Sequence, residues 1–151
     1  AVALGAEVTA VCSTRNVELV RSLGAHEVLD YTKDALLSHR DSFDVVFETV
    51  GKLPFKDSLT LVKPQGTIIT GSEMPAQMLK RVLGGKGGKQ VTVIGGTAAE
   101  SAADMQLIAD LWQRREIRPV IDSTFPLERI RDAHTLAESG KKVGSVVITL
   151  P

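Results

Sequence analysis

Residues Glu7 to Tyr31 read EVTAVCSTRNVELVRSLGAHEVLDY, and the order of residue types along this stretch decides the fold. Val8, Thr9, Ala10, Val11 and Cys12 form a short, largely apolar, β-branched run, which suits a strand buried on both faces of a parallel sheet. It stops at the polar residues Ser13, Thr14, Arg15 and Asn16. Beyond them Val17, Leu19, Val20 and Leu23 fall at helical spacing and Gly24 ends the helix. Ala25 to Tyr31 then gives a second strand, with Val28 and Leu29 inward and Tyr31 at its tip. Strand, polar turn, helix, strand is a βαβ unit, so the sequence predicts an α/β fold built on a Rossmann-type, doubly wound parallel sheet.

In such a sheet ligands lie beyond the carboxyl ends of the strands, and the end of the second strand of a dinucleotide fold reads the adenosine ribose. An acidic side chain there accepts hydrogen bonds from a free 2′-hydroxyl and repels a 2′-phosphate; hydroxyls and a guanidinium attract the phosphate. This sequence supplies the second set, so NADPH is expected over NADH, with Ser13 and Arg15 as the phosphate contacts. The plainer alternative makes Ser13 and Thr14 ordinary helix caps and Arg15 a solvated first-turn residue. Position at the end of the strand favours the functional reading.

The chain has 151 residues, near the usual size of one domain, and 18 basic against 18 acidic residues. With net charge zero and 4% aromatic residues, neither a nucleic acid nor an anionic membrane is an expected partner. One cysteine, Cys12, excludes an internal disulfide and a thiolate zinc site, and its place in a strand makes it an inert core thiol. No apolar run reaches the roughly 20 residues that span a bilayer, and no leader pattern is present. A cytoplasmic location is the expectation.

Ala1 to Ala6 reads as the last turn of a helix capped at Gly5, with neither the first strand nor the glycine-rich pyrophosphate turn of a dinucleotide fold before it. That first strand lies between the second and fourth. Its absence leaves two unpaired edges, at ~1–3 kcal/mol per buried unpaired group against a net domain stability of ~5–15 kcal/mol. The segment is therefore expected to be functionally incomplete alone, and to pair those strands directly, borrow a strand or fold marginally.

Downstream, Lys33 to Arg40 reads as a short surface helix in which His39, like His26 before it, is a solvated residue. Ser42 to Gly51, SFDVVFETVG, is the clearest strand, with Thr49, Val50 and Gly51 facing the cofactor. Glu48 is either a general base or a structural hydrogen-bonding group. Phe55 to Val62 is a helix, Lys63-Pro64-Gln65-Gly66 breaks it, and Thr67 to Thr70 is a strand ending at Gly71 and Ser72. Met74, Met78, Leu79, Val82 and Leu83 suggest an amphipathic helix, and the glycines from Gly84 to Gly88 a surface loop without Walker spacing. Val91 to Gly96, VTVIGG, is a further, buried strand. Ser101 to Glu116 is a helix with Met105, Leu107, Ile108, Leu111 and Trp112 on one face, Trp112 anchoring it to the sheet. Arg118 to Asp122 is extended, Leu127 to Ser139 is helical with His134 structural, and Gly144 to Leu150 is the last strand.

These blocks in order, ending in LIADLWQRREIRPVIDSTFPLERIRDAHTLAESG and GSVVITL, resemble the later part of the medium-chain dehydrogenase/reductase superfamily, in its zinc-independent quinone oxidoreductase and enone reductase branch. The resemblance implies residues 1–117 as a partial dinucleotide-binding domain and 118–151 as the segment returning to a GroES-like catalytic domain that these residues do not include. It implies Ser13 and Arg15 at the 2′-phosphate, Tyr31 beside the adenosine, Val50 and Gly51 on the ribose side and Gly71 near the nicotinamide. The implied chemistry is hydride transfer from NADPH to a quinone or an α,β-unsaturated carbonyl, with no metal. The expected partners are a small-molecule substrate and a second copy of the chain in a homo-oligomer. No catalytic proton donor is assignable. Where the family often carries Gly-Lys before its last strand, here Gly144 precedes Ser145 and Lys142 lies upstream. Two rivals stand: a zinc-type alcohol dehydrogenase and an S-adenosylmethionine-dependent methyltransferase, the latter having no need of the 118–151 segment.

Overall fold

The computed structural model describes residues 1–71, 89–96 and 100–150. It is an α/β structure in which every strand pair is parallel. Two compact units are present: Ala1–Thr32 with Ser101–Pro151, and Lys33–Glu100.

In the first unit, β1 (Thr9–Cys12) pairs with β2 (Glu27–Asp30), and α1 (Val17–Ser22) makes the crossover. Gly5, at φ 84°, closes the short 3-10 turn Val2–Leu4, and Gly24, at φ 99°, follows α1; both are left-handed positions that favour glycine. Helix α3 (Ala102–Gln113) starts at Ser101, whose Oγ accepts from the Asp104 amide at 3.2 Å. Strands β6 (Ile121–Pro126) and β7 (Ser145–Thr149) form their own pair, and α4 (Ile130–Glu138) packs on both with Ala133 buried.

In the second unit, β3 (Phe43–Glu48), β4 (Val62–Thr70) and β5 (Thr92–Gly95) form a sheet in that order, with α2 (Phe55–Leu61) against β3 and β4. Val62, Ile68 and Val91 are its buried core, packed by Val46, Phe55, Leu59 and Val93. The register places Val46, Ile68 and Val93 side by side on one face, because alternate residues of a strand share a face.

Several expectations are corrected. Neither β1 nor β5 is the buried strand expected of it: Val11 and Ile94 are exposed, because successive side chains point to opposite faces and one of those faces is left open. Residues 33–40 hold only the 3-10 turn Leu36–Ser38, since one turn without a side-chain cap cannot carry the cost of helix nucleation. Strand β4 begins at Val62, before the expected break. Val62 pairs with Phe43 and Thr67 with Val45, and Lys63 to Gly66 bulge out between them with Gln65 at φ 66°. Trp112 is 61% exposed; α3 turns its neighbour Leu111 inward instead, and a 100° step per residue carries Trp112 off that face. His26 is structural, its Nδ1 accepting from the Val8 amide at 3.1 Å, and His39 stacks on Phe43 at 6.0 Å between ring centroids. The expected helix over Met74 to Leu83, the glycine loop 84–88 and Ser72 lie outside the described residues.

Candidate functional site

The expected contact residues fall on two strand rims, one in each unit. On the first, β1 ends at Cys12 and the chain turns through Ser13 into a 3-10 turn, Thr14–Asn16, closed by the Asn16 amide donating to the Ser13 carbonyl at 2.9 Å. The Ser13 side chain makes no capping bond, so its hydroxyl is not consumed by the helix start. Arg15 is exposed, and among the described residues its guanidinium has no ion-pair partner. Tyr31, 61% exposed, follows β2 and donates its amide to the Cys12 carbonyl at 3.1 Å.

Thr14 departs from the expectation of a second phosphate hydroxyl. Its Oγ1 donates to Asp30 Oδ2 at 2.5 Å, while Asp30 Oδ1 accepts from the Thr32 amide at 3.0 Å and the Thr32 hydroxyl at 2.7 Å. Asp30 is 5% exposed, so this rim does contain a carboxylate, turned inward and satisfied by hydroxyl and amide donors. The sequence reading missed Asp30 and Thr32. Their signal was the Asp-x-Thr pattern at a strand end, in which an aspartate accepts from the backbone two residues on. Burial first, and then the negative Asp30, pushes the Cys12 thiol above its ordinary value, in keeping with an unreactive thiol.

On the second rim, the ends of β3 and β4 bring Glu48, Val50, Gly51 and Gly71 together. The Gly71 amide donates to the Glu48 carbonyl at 3.2 Å. The Glu48 carboxylate settles the choice left open above in favour of structure: Oε1 accepts from the amides of Val50 (3.0 Å), Gly51 (2.7 Å) and Lys52 (3.2 Å), and Oε2 from Gly51 at 2.8 Å. Three successive N–H groups converging on one carboxylate form an anion nest. Gly51 at φ 74° permits the turn. Val50 and Gly51 therefore spend their amides inside the protein and would meet a cofactor through the exposed Val50 side chain and the open space at Gly51.

Burial alone would raise the Glu48 carboxyl, but the amides of Gly51, Val50, Lys52 and Leu53 outweigh it and hold the group below its ordinary value. A carboxyl lowered on folding adds stability above its unfolded value, about pH 4.3, and that stability is lost as the pH falls through the lower folded value. Glu48→Gln should accordingly flatten the dependence of stability on pH between about 3 and 5, measured by denaturant unfolding at several pH values. An unchanged slope would contradict this assignment.

Comparison with known proteins adds the family. Residues 23–148 match the model described as zinc-binding dehydrogenase. A mouse protein named NAD(P)H oxidoreductase RTN4IP1, mitochondrial, is 31% identical over 174 residues, covering 98% of this chain and 43% of that protein. The chloroplast envelope quinone oxidoreductase homolog of Arabidopsis thaliana is 30% identical over 151 residues, covering 95% of this chain and 45% of that protein. The quinone oxidoreductase from Coxiella burnetii superposes with a TM-score of 0.80 at 24% identity, over 97% of this chain and 46% of that one, a likeness of fold. The chain thus belongs to the zinc-binding dehydrogenase family, the medium-chain dehydrogenase/reductase group, and spans under half the length of the relatives it matches. Membership displaces the methyltransferase reading. The zinc in the family's name finds no fitting donor set among the described residues, where no group of three or more His, Cys, Asp or Glu is placed to hold an ion. No described helix is long and apolar enough to cross a membrane.

Proposed function

We propose that this chain is the coenzyme-binding part of an NADPH-dependent oxidoreductase that reduces a quinone or an α,β-unsaturated carbonyl without a metal. The observation that carries the reading is the set of groups at the end of β1: an exposed Arg15 and an uncommitted Ser13 hydroxyl in one turn, with Asp30 at the end of the paired strand buried and hydrogen-bonded. A carboxylate so engaged is a poor acceptor for a free ribose 2′-hydroxyl, whereas a planar guanidinium suits a phosphate. The names of the mouse and Arabidopsis relatives, an NAD(P)H oxidoreductase and a quinone oxidoreductase homolog, agree in class.

The bound coenzyme supplies hydride chemistry, two electrons and one proton passing to the acceptor. The chain's own residues bind and orient. Ser13 and Arg15 hold the 2′-phosphate, Tyr31 lies along the adenosine, Val50 and Gly51 border the ribose on the nicotinamide side, and Gly71 leaves room near the ring. The second proton comes from solvent or from residues outside these 151. We assign residues 1–117 to the coenzyme. Residues 118–151, whose β6 and β7 pair with each other and with no other strand among the described residues, we assign to the return toward a substrate domain. Because the chain spans under half the length of these relatives, we infer that these residues alone do not turn over substrate.

The test separates the adenosine end from the rest. Titration by NMR with 2′,5′-ADP and with ADP should show at least tenfold tighter binding of the first, about 1.4 kcal/mol. Arg15→Gln should bring the two within about twofold by removing the charge-assisted bonds. Equal binding of both probes by the unaltered chain would remove the NADPH assignment.

A further inference from the structure

We propose that the bridge Thr14–Asp30–Thr32 is the positioning device for coenzyme selectivity: it ties the turn after β1 to the end of β2, and so fixes Ser13 and Arg15 where a 2′-phosphate meets them. This rests on the NADPH reading above and goes beyond it by naming Thr14 and Asp30, neither of which touches the coenzyme.

The chain places these groups by register. Cys12 is opposite Asp30 in the β1–β2 ladder, and the Tyr31 amide closes on the Cys12 carbonyl at 3.1 Å, so the two strands end together. Thr14, two residues past the end of β1, reaches Asp30 Oδ2 at 2.5 Å, and its oxygen lies 3.1 Å from that of Thr32. Asp30 Oδ1 takes both the amide and the hydroxyl of Thr32. A hydroxyl has one proton to give. Thr14 gives it to Asp30 and has none left for a phosphate, which distinguishes it from Ser13 on one side and Arg15 on the other.

Because Thr14 sits between them, holding it holds the backbone of both. The same bonds have an electrostatic consequence. A carboxylate free to turn outward at this rim would repel a 2′-phosphate, and three donors on the 5%-exposed Asp30 keep it facing inward. A bond that only stabilised the fold would, when removed, weaken both adenosine probes alike. A bond that positions the phosphate corner weakens one of them.

Thr14→Val keeps the shape and removes the proton; Thr14→Ser keeps the proton. Thr14→Val should weaken 2′,5′-ADP about tenfold while ADP stays within twofold, and Thr14→Ser should retain the parent ratio. Exchange of the Asn16 amide, which donates to Ser13, should quicken in Thr14→Val and not in Thr14→Ser. A parent-like ratio in Thr14→Val, or equal weakening of both probes, overturns the proposal. If the parent itself fails to prefer 2′,5′-ADP, the functional reading and the selectivity role fall together. Unchanged Asn16 exchange in Thr14→Val, with the parent preference intact, overturns the bridge alone.

Discussion

Gly144→Ala should break the joint between β6 and β7 and lower stability by roughly 2–5 kcal/mol. Gly144 sits at φ 112°, a region L-residues rarely occupy, and an added Cβ would lie 2.8 Å from Val120 Cγ1 and closer still to the Val120 carbonyl oxygen. The carbonyl is held. The Val120 carbonyl accepts the Ser145 amide at 2.8 Å, and next to it Asp122 Oδ1 accepts the Val143 amide at 3.0 Å. Lys142, upstream of the position where the family often carries its lysine, closes the same corner by donating to the Gly144 carbonyl at 3.0 Å. Backbone strain and overpacking therefore act at one place, and neither relaxes without releasing the first rung of the β6–β7 ladder, Ile121 with Ser145. Thermal or denaturant unfolding of the variant measures the loss. A shift below about 1 kcal/mol would mean that the corner yields more readily than its hydrogen bonds imply.

Ile68→Ala should cost about 2–5 kcal/mol in the Lys33–Glu100 unit. Ile68 is 1% exposed at the centre of β4, flanked in register by Val46 and Val93 and packed with Val62, Val91, Phe55 and Leu59. Truncation removes buried methyl and methylene groups and leaves a cavity, and the sheet on one side with α2 on the other restricts its collapse. Val45→Thr, one strand over and on the opposite face, is the control. Val45 is 54% exposed, so its replacement should change stability by less than about 1 kcal/mol. Similar losses in the two variants, by denaturant unfolding, would place the core on the wrong face of the sheet.

The glycine and proline punctuation carried much of the fold. Gly5, Gly24 and Gly140 end their turns or helices where the sequence places them, each at positive φ, because few other residues accept that backbone. The β-branched runs of β1, β3 and β5 were equally legible, since local shape restricts such residues to extended backbone. Lys63 to Gly66 was read as a break and is a bulge inside a strand. The difference lies in the pairing of Val62 with Phe43, which joins residues nineteen apart, and no local pattern announces it. Gly66 is required there because a Cβ would lie 2.7 Å from the Asp44 carbonyl oxygen, again a contact with a distant strand.

The same division runs through the candidate site. Composition alone put hydroxyls and a guanidinium at the end of β1 and a glycine turn after β3, because residue type determines what charge and backbone geometry a position offers. Which of those groups is free to meet a ligand was decided by tertiary structure: Thr14 is committed to Asp30, and the amides of Val50 and Gly51 to Glu48. Hydrogen-bonding capacity belongs to the residue. Its use depends on what the register of neighbouring strands brings within 3 Å, and that register is a property of the folded sheet rather than of any stretch read alone.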